Sequence, residues 1–370
     1  MAAVVGVIGG GQLARMMIGP AVELGLELRV LAEGPDAAAR LAATAIGDHR
    51  DGDTVLAFAA GVDVVTFDHE HVPQAVLARL AEAGVPVRPG ASALELAQDK
   101  IVMRERLASL GAPVPDWAVV EDAAALGAFL GTHGGAAVVK TPRGGYDGKG
   151  VRVVRRADAA DDWFADGPLL AEELVAFRRE LAQLVARRPS GEVAAWPLVE
   201  TLQRDGVCAE VTAPAPGSEA LQDAARDLAF VIAEGIGVTG VLAVELFETA
   251  DGALLVNELA MRPHNSGHWT MDGAVTGQFE QHLRAVLDLP LGDPAPRAPW
   301  SVMVNVLGGP PGAELPDRYP AALAAEPGVK FHAYGKASRP GRKVGHVTAT
   351  GSDLDDVRAR ARAAAGFFQA

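Results

Sequence analysis

The chain has 370 residues, 49% of them hydrophobic, and its 33 Lys and Arg against 47 Asp and Glu give a net charge of −14. This length suits two or three domains with buried cores, and so acidic a surface argues against nucleic acid or an anionic membrane as the main partner. Cys208 is the only cysteine, which excludes an intrachain disulfide and a metal cluster built on cysteines.

Strands and helices alternate over the first part of the chain. Strands are predicted at residues 4–8, 26–31, 62–67 and 85–87, and helices from residue 12 and over 76–83. Such alternation is typical of a parallel sheet covered by helices, so residues 1–98 are predicted to form a Rossmann-like domain. A single helix is then predicted over 93–110, ended by Gly111.

Beyond residue 117 the pattern becomes rich in strands. They are predicted at residues 136–140, 151–154, 169–175, 180–185, 193–198, 302–307, 329–334 and 344–349. A helix over 218–234 is expected to end at Gly235, a hairpin joins 241–249 to 253–259, and 291–299 is a proline-rich linker. These patterns predict an α/β protein, α+β overall, with domains at 1–98, 99–294 and 295–370.

No feature of the sequence indicates a membrane or a secreted protein. The start of the chain has no basic segment before its first apolar run, so we expect no signal peptide. The longest apolar stretch, 228–244, is interrupted by Glu234, Gly235 and Gly237, and we do not expect it to span a membrane. A cytoplasmic protein is therefore expected.

The first motif is Gly9-x-Gly11-x-x-Ala14 after the first strand, with Glu33 at the end of the second. It satisfies a dinucleotide-binding fingerprint loosely, with glycines for the turn, a helix N-terminus for a phosphate and an acid for a ribose. The same helix N-terminus suits the phosphate of any small molecule. A glycine turn that serves packing alone is the alternative.

A glycine-rich segment, 141–150, lies between two predicted antiparallel strands. It is not a Walker A loop, because Lys149 is followed by Gly150 rather than by Ser or Thr. Such a loop can fold over nucleotide phosphates as a flap, with backbone amides as donors and with Lys140 and Lys149 as charges. A solvated hairpin loop is the alternative.

The predicted hairpin carries two acids, Glu245 and Glu258, in otherwise apolar strands. With a two-residue turn at 250–251 they become diagonal neighbours on one face, roughly 7 Å apart, a distance that a divalent ion can bridge. A three-residue turn would place them on opposite faces. The metal interpretation therefore depends on the register.

Two further groups of residues suggest ligand contacts. Arg262, His264 and Asn265 lie in a short segment directly after the hairpin, beside the predicted metal site. Near the C-terminus, Lys336 and the pair 342–343 are basic and could meet a phosphate. A solvated edge strand explains that second group equally well.

Together these motifs resemble the ATP-grasp ligases. The flap, the segment from Glu172 to Val175, Glu180 and the pair Asn257-Glu258 carry the resemblance. Four longer strings are similar to the ATP-grasp enzymes that carboxylate aminoimidazole ribonucleotide in purine biosynthesis: GGGQLARM, GGYDGKG, NELAMRPHNSGHWT and RPGRKVGH. This likeness extends over nearly the whole chain. The fold implied is an ATP-grasp domain between a Rossmann-like N-terminal domain and a small mixed α/β C-terminal domain.

The resemblance implies ATP and Mg²⁺ as cofactors. It implies that the phosphates are held by Lys100, Lys140, Gly144, Gly145, Tyr146, Asp147, Gly148, Lys149 and Gly150. The adenine and ribose would be contacted by Glu172, Glu173, Leu174, Val175 and Glu180. The metal would be ligated by Glu245 and Glu258, with Asn257 beside them.

The resemblance also implies that aminoimidazole ribonucleotide and bicarbonate are the substrates. The ribonucleotide site would be lined by Gln12, Leu13, Glu70, Asn265, Lys336, Arg342 and Lys343. Arg262 and His264 would lie near bicarbonate and the reacting amine, with Lys140 as the third catalytic residue. The reaction implied passes through carboxyphosphate and releases ADP and phosphate, and the assembly implied is a homodimer.

This chain departs from the family pattern at two places. Where the family commonly shows TFEFENV, residues 66–72 read TFDHEHV, which keeps Glu70 but adds His69 and His71. Met261 stands where Pro is common. A formate-dependent glycinamide ribonucleotide transformylase of the same fold, a NAD-dependent oxidoreductase and a non-catalytic nucleotide-binding module stay open as alternatives.

Overall fold

The N-terminal part of the chain forms a parallel sheet. A computed structural model describes residues 2–144, 150–204, 206–309 and 315–369. Its first elements are β1 (Val4–Ile8), α1 (Gln12–Glu23), β2 (Glu27–Ala32), β3 (Ala43–Ile46), α2 (Gly52–Ala59), β4 (Val64–Phe67), α3 (Gln74–Glu82) and α4 (Ala91–Gln98). The strands pair in the order β3-β2-β1-β4, all parallel, as predicted. The strand predicted at 85–87 is reduced to a single bridge between Val65 and Val87.

A small antiparallel sheet follows. Its elements are α5 (Lys100–Ser109), β5 (Trp117–Val120), α6 (Ala123–Thr132), β6 (Ala137–Lys140), β7 (Val151–Val154) and β8 (Leu169–Glu173). The strand order is β5-β8-β6-β7. The predicted glycine-rich segment connects β6 to β7, so Lys140 stands at the last position of β6, where the segment begins.

The rest of the chain builds one large antiparallel sheet and its covering helices. The elements are β9 (Phe177–Arg187), β10 (Val193–Ala195), β11 (Val199–Arg204), β12 (Val207–Ala213), α7 (Glu219–Ile236), β13 (Gly240–Thr249), β14 (Leu254–Ala260), α8 (Thr270–Gly273), α9 (Gln278–Val286), β15 (Trp300–Leu307), α10 (Leu315–Ala325), β16 (Lys330–Ala333), β17 (Lys343–Gly351) and α11 (Leu354–Gln369). The order is β14-β13-β9-β11-β12-β15-β17-β16, with β10 beside β9. The C-terminal strands therefore extend the central sheet through the pairing of β12 with β15.

The prediction of a single helix over 93–110 is wrong, because the helix is interrupted at Asp99. Its backbone is extended there, with φ −132° and ψ 112°, and its carboxylate accepts hydrogen bonds from the amides of Ile101 and Val102. These are the contacts of an N-cap, which begins a new helix. Lys100 is thus the first residue of α5 instead of a mid-helix residue.

The predicted end of α7 is also displaced. Gly237, with φ 63°, is the left-handed residue that ends this helix, whereas Gly235 lies inside it. A β-carbon on Gly235 would lie 2.5 Å from Cδ2 of Leu110, at the end of α5. Gly235 therefore permits the close approach of α7 and α5.

One apolar cluster joins the N-terminal sheet to the central one. It contains Phe67 and Leu77 from the first, Leu107 of α5, and Leu242 and Leu259 of the β13–β14 hairpin. Packing between these parts holds α5 against the hairpin, next to the predicted acids. Within the described ranges, every helix is too short or too polar to cross a lipid bilayer.

Candidate active site

The β13–β14 hairpin brings Glu245 and Glu258 directly opposite each other. Of the two turns left open by the sequence, the hairpin has the three-residue one, because the Thr249 amide donates to the carbonyl oxygen of Ala253 at 2.9 Å. Such a three-residue turn alone would place the acids on opposite faces. An extra residue in β14, Asn257, shifts the register between Leu246–Val256 and the glutamate pair, so a β-bulge returns both carboxylates to one face.

Each carboxylate has a nitrogen-bearing side chain beside it. Nε2 of His264 lies 3.2 Å from Oε1 of Glu245, and Nζ of Lys100 lies 4.0 Å from Oε1 of Glu258. Enclosure by the protein and the nearby Glu245 charge raise the pKa of Glu258. The same enclosure acts on Glu245, but its hydrogen bond with His264 lowers its pKa. Two carboxylates and the neighbouring Asn257 amide are hard oxygen donors of the kind that Mg²⁺ prefers.

Lys140 is fixed at the end of β6 by two contacts. Its Nζ lies 2.6 Å from Oε2 of Glu172 and donates to Oδ1 of Asn257 at 3.3 Å. The Glu172 carboxylate is buried, which opposes its charge, but Lys140 and Arg104 lower its pKa overall. Glu172, predicted to contact adenine through its backbone, therefore uses its side chain to hold Lys140.

A cavity of about 480 Å³ lies between the small antiparallel sheet and the hairpin. The residues predicted to bind ATP that line it are Lys100, Lys140, Glu172, Glu173, Leu174, Val175, Glu180, Asn257 and Glu258. Burial and the charge of Glu245 raise the pKa of Glu180 to about 7. The stacked rings of Phe177 and Phe247, whose centroids are 4.7 Å apart, also line this cavity. The cavity thus offers cations and acids at one end and an apolar end for a planar base.

A second cavity of about 500 Å³ adjoins the first. Both are lined by the same four residues: Lys100, Glu245, Glu258 and His264. The second cavity is also lined by Arg262, whose Nε lies 2.7 Å from Oε2 of Glu70. The second oxygen of Glu70 accepts from the Met261 amide at 3.3 Å, so the loop after β14 is tied to the segment that follows β4.

His264 has both ring nitrogens engaged. Its Nδ1 lies 2.9 Å from the Ser266 hydroxyl and accepts from the Ser266 amide at 3.4 Å, while its Nε2 faces Glu245. Its backbone is clamped by Gln278, which donates to the His264 carbonyl and accepts from its amide, both at 2.8 Å. The orientation of His264 is therefore set by this hydrogen-bond network.

The residues predicted to bind the ribonucleotide fall into separate places. Lys336 donates to Oε1 of Gln12 at 2.8 Å, which joins the start of α1 to the segment after β16. Asn265 exchanges amide hydrogen bonds with Asn305 at 2.7 and 3.1 Å. Lys343 and Asn265 line the first cavity and Glu70 lines the second.

Two of the residues predicted to bind the ribonucleotide are engaged within the protein. The Leu13 side chain is buried in the apolar cluster between α1 and the parallel sheet, so only its backbone can meet a substrate. Arg342 donates to the carbonyl of Ala337 at 3.2 Å. Neither Arg342 nor the Gln12–Lys336 pair lines either of the two cavities described above.

Part of the predicted flap lies outside the described residues: Gly145, Tyr146, Asp147, Gly148 and Lys149. Its two ends are described. Gly144 lines the second cavity, and the carbonyl of Gly150 accepts from the Thr141 amide at 2.9 Å. Both glycines have positive φ, 83° and 70°, which side chains disfavour. The segment therefore leaves and re-enters the sheet beside the cavities.

The two histidines that depart from the family pattern lie beside the glycine-rich turn after β1. Nδ1 of His69 accepts from the His71 amide at 3.2 Å, so Nε2 carries the hydrogen and faces Oε1 of Glu33 at 3.4 Å. That hydrogen bond lowers the pKa of Glu33 to about 2. A β-carbon on Gly9 would lie 2.8 Å from the His69 ring, and Glu33 also accepts from the Gly10 amide at 3.3 Å. Glu33 therefore braces this turn.

Sequence reasoning overlooks Arg104, which contacts Glu172 and the backbone of β14. The helical spacing of the neighbouring residues could have indicated this contact. Lys100, Met103, Arg104 and Leu107 follow the spacing of one helix face, and all four are buried. A charged residue on an otherwise packed helix face indicates a specific buried partner.

The fold and the site define the class of protein. A small antiparallel sheet with a glycine-rich connection, facing a hairpin that carries two acids, is the arrangement of an ATP-grasp ligase. Family models match in chain order: a ribonucleotide synthetase preATP-grasp domain at 1–98, an ATP-grasp domain at 105–279, and a phosphoribosylaminoimidazole carboxylase C-terminal domain at 301–360.

The chain belongs to the N5-carboxyaminoimidazole ribonucleotide synthase family. It is 53% identical to the synthase of that name from Mycobacterium tuberculosis, over 99% of this chain and 87% of that one. The Thermus thermophilus synthetase structure is 40% identical, with a TM-score of 0.89 over 99% and 98% of the two chains. An Aspergillus clavatus structure, in complex with ADP and 5-aminoimidazole ribonucleotide, is 31% identical, with a TM-score of 0.88 over 99% and 98%.

Proposed function

We propose that the protein carboxylates 5-aminoimidazole ribonucleotide with ATP and bicarbonate, giving N5-carboxyaminoimidazole ribonucleotide, ADP and phosphate in purine biosynthesis. One observation carries the proposal beyond the family likeness. Lys100, Glu245, Glu258 and His264 line both cavities, so the phosphate end of a nucleotide in the first would face a substrate in the second. Such an arrangement suits the transfer of a phosphoryl group between two bound molecules.

ATP is assigned to the first cavity. The adenine would lie at the apolar end near Phe247, with Glu180 at the ribose hydroxyls, and the phosphates would lie between Lys100 and Lys140. Glu245 and Glu258 would hold Mg²⁺, because two adjacent carboxylates repel each other unless a cation lies between them. When bound, the metal neutralises charge on the β- and γ-phosphates.

The first chemical step forms carboxyphosphate. A bicarbonate oxygen attacks the γ-phosphorus of ATP, the bond to the bridging oxygen breaks, and ADP leaves. Lys100 and Lys140 stabilise charge on the transferred group through preorganised contacts, and covalent catalysis by the protein is not needed. Arg262, which Glu70 holds in the second cavity, orients bicarbonate.

The second step transfers the carboxyl group. The exocyclic amine of the ribonucleotide attacks the carboxyl carbon of carboxyphosphate, the bond to the phosphate oxygen breaks, and the proton that the amine loses ends on the released phosphate. His264 stays beside the reacting amine and orients Glu245. Carboxyphosphate hydrolyses in water, so the reaction requires that water be excluded while it exists.

The experiment is ADP release from ATP, Mg²⁺ and bicarbonate, with and without aminoimidazole ribonucleotide. We expect release that requires both bicarbonate and the ribonucleotide. Glycinamide ribonucleotide with formate serves as the control, and stimulation by that pair alone would move the assignment to the related transformylase. Release that neither acceptor stimulates, from folded protein, would contradict both assignments.

We further propose that the protein acts in the cytoplasm as a homodimer, with domain boundaries at 98/99 and 294/295. The breaks between the matched family models, 98–105 and 279–301, support both boundaries. Light scattering on the purified protein tests the dimer, and a monomeric mass at working concentration would exclude it.

A further inference from the structure

Arg104 is a fully buried arginine behind the wall of the nucleotide cavity. Its relative exposure is 0%, and its guanidinium donates to three groups. Nε bonds to the Glu172 carboxylate, Nη1 to the carbonyl of Val256 at 2.9 Å, and Nη2 to the carbonyl of Asn257 at 2.7 Å. All three nitrogens are therefore used, which offsets the cost of burying the charge.

The two carbonyls that Arg104 contacts belong to the β-bulge. Asn257 is the extra residue in β14, and a bulge leaves its backbone groups without regular ladder partners. The amide of Val256 donates to the carbonyl of Pro113 at 2.8 Å. The segment after α5 therefore supplies a hydrogen-bond partner to the same part of β14 that Arg104 contacts. Residues 104 and 113 thus support a bulge that the hairpin pairing alone does not specify.

The third contact of Arg104 links this bulge to Lys140, the lysine proposed to bind phosphate. Glu172 accepts from Arg104 with one oxygen and from Lys140 with the other, and Lys140 donates to the Asn257 side chain. Arg104, Glu172, Lys140 and Asn257 therefore form a closed ring of contacts. Lys100 belongs to the same helix one turn earlier, and its Nζ faces Glu258.

We propose that Arg104 is a positioning residue that sets the distance between Lys140 and the metal-binding carboxylates. The planar guanidinium of Arg104, a fork of three nitrogens, bonds to two successive carbonyls and one carboxylate at once, which the single ammonium of a lysine cannot do. Without the fork, the bulge loses its support, and Asn257 and Glu258 lose their fixed place opposite Glu245. This inference rests on the proposed function for the roles of Lys140 and of the carboxylates.

The test is Arg104→Lys, which keeps the charge and removes the fork. Arg106→Lys is the matched control, because Arg106 lies on the same helix and donates to a backbone carbonyl, that of Gly235, away from the cavities. We expect Arg104→Lys to raise the half-saturating Mg²⁺ concentration about 10- to 100-fold, the range typical for groups that support metal ligands. The KM for ATP rises with it, while the KM for the ribonucleotide stays within about twofold and Arg106→Lys matches the wild type.

Binding of ADP by calorimetry, with and without Mg²⁺, supplies a readout that does not need turnover. We expect Arg104→Lys to lose most of the gain in ADP affinity that Mg²⁺ gives the wild type. A folded variant with an unchanged Mg²⁺ requirement overturns the proposal, and so does an equal change in every kinetic constant. If the wild type binds ADP with Mg²⁺ but does not carboxylate the ribonucleotide, the proposed function fails and this inference stands.

Glu172→Gln covers the case in which Arg104→Lys does not fold. The amide oxygen of Gln still accepts from Arg104, so the two carbonyl contacts persist, whereas Lys140 loses its charged partner. We expect the KM for ATP to rise with the Mg²⁺ requirement nearly unchanged. A comparable rise in the Mg²⁺ requirement, with the two carbonyl contacts kept, would mean that the metal site depends on Lys140 and not on the bulge, and the proposal would fail.

Discussion

His282 connects the parallel sheet to the central sheet by bonding to both at once. Its Nε2 lies 2.8 Å from the Thr66 hydroxyl on β4, and its Nδ1 accepts from the Val241 amide on β13 at 3.1 Å. Because Nδ1 accepts, the ring is neutral with its hydrogen on Nε2. Complete burial lowers the pKa of His282 to about 3. The junction between the two sheets therefore depends on an uncharged imidazole.

We predict that acid weakens the protein through this residue. Above pH 6.5 the imidazole is neutral in both states; below it the unfolded chain takes up a proton that the folded chain refuses down to about pH 3. The step from pH 6.5 to 5.5 then costs about 1 kcal/mol of unfolding free energy, and each further pH unit about 1.4 kcal/mol. Urea unfolding at pH 6.5 and 5.5 measures this, and His282→Gln, which can donate and accept in the same places, should remove that share. Equal pH dependence in both proteins would contradict the prediction.

Glu258→Gln tests the paired carboxylates. We expect turnover to fall at least about 100-fold, because the loss of one charged donor weakens the metal and the charge stabilisation it supplies. The free energy of unfolding without Mg²⁺ should stay equal or rise, since the repulsion that raises the pKa of Glu258 is removed. ADP release and thermal unfolding check both parts. Retained activity would exclude Glu258 as a metal ligand.

Glu70→Gln separates the two cavities. Arg262 loses its charged partner and its fixed orientation, so we expect the KM for bicarbonate or for the ribonucleotide to rise at least about fivefold. The KM for ATP should stay within about twofold, because Glu70 lines only the second of the two cavities. Steady-state kinetics with each substrate varied in turn decides this. A rise confined to ATP would move Arg262 to the nucleotide.

Gly235→Ala should destabilise the protein although alanine favours helices. The new methyl group would lie 2.5 Å from Leu110, and overpacking typically costs about 1–3 kcal/mol. Gly366→Ala in α11 is the control: its β-carbon meets nothing within 4 Å, so helix propensity should stabilise it by up to about 1 kcal/mol. A double variant that combines Leu110→Ala with Gly235→Ala should relieve the clash. Purely additive effects in denaturant unfolding would contradict this packing argument.

Local patterns in the sequence are enough to predict much of the fold. The strand at 4–8, the helix from Gln12 and the hairpin that carries Glu245 and Glu258 are confirmed, because each depends on residues close together in the chain. The parallel sheet is confirmed as well, since apolar runs alternating with helices have few other solutions. The acids were found because charges in apolar strands are costly without a partner.

The parts that were missed depend on distant residues. The bulge at Asn257 is stabilised by Arg104, 153 positions away, and no turn rule contains that contact. The break at Asp99 depends on a side chain that caps the next helix, which outweighs the continuous helical pattern around it. The contact of Gly235 with Leu110 likewise joins segments far apart in the sequence.

The pairing of β12 with β15 limits how this enzyme can move. It makes the C-terminal strands a continuation of the sheet that carries Glu245, so they cannot rotate as a separate body without breaking a row of backbone hydrogen bonds. Among the described strands, β5 to β8 pair only with one another. The small sheet with Lys140 is therefore joined to the central sheet not by strand pairing but by side-chain contacts, those of Glu172 and Lys140 with Arg104 and Asn257. In hydrogen exchange, the amides at the β12–β15 seam should be as slow as those at the middle of a sheet, while those of β7 exchange early.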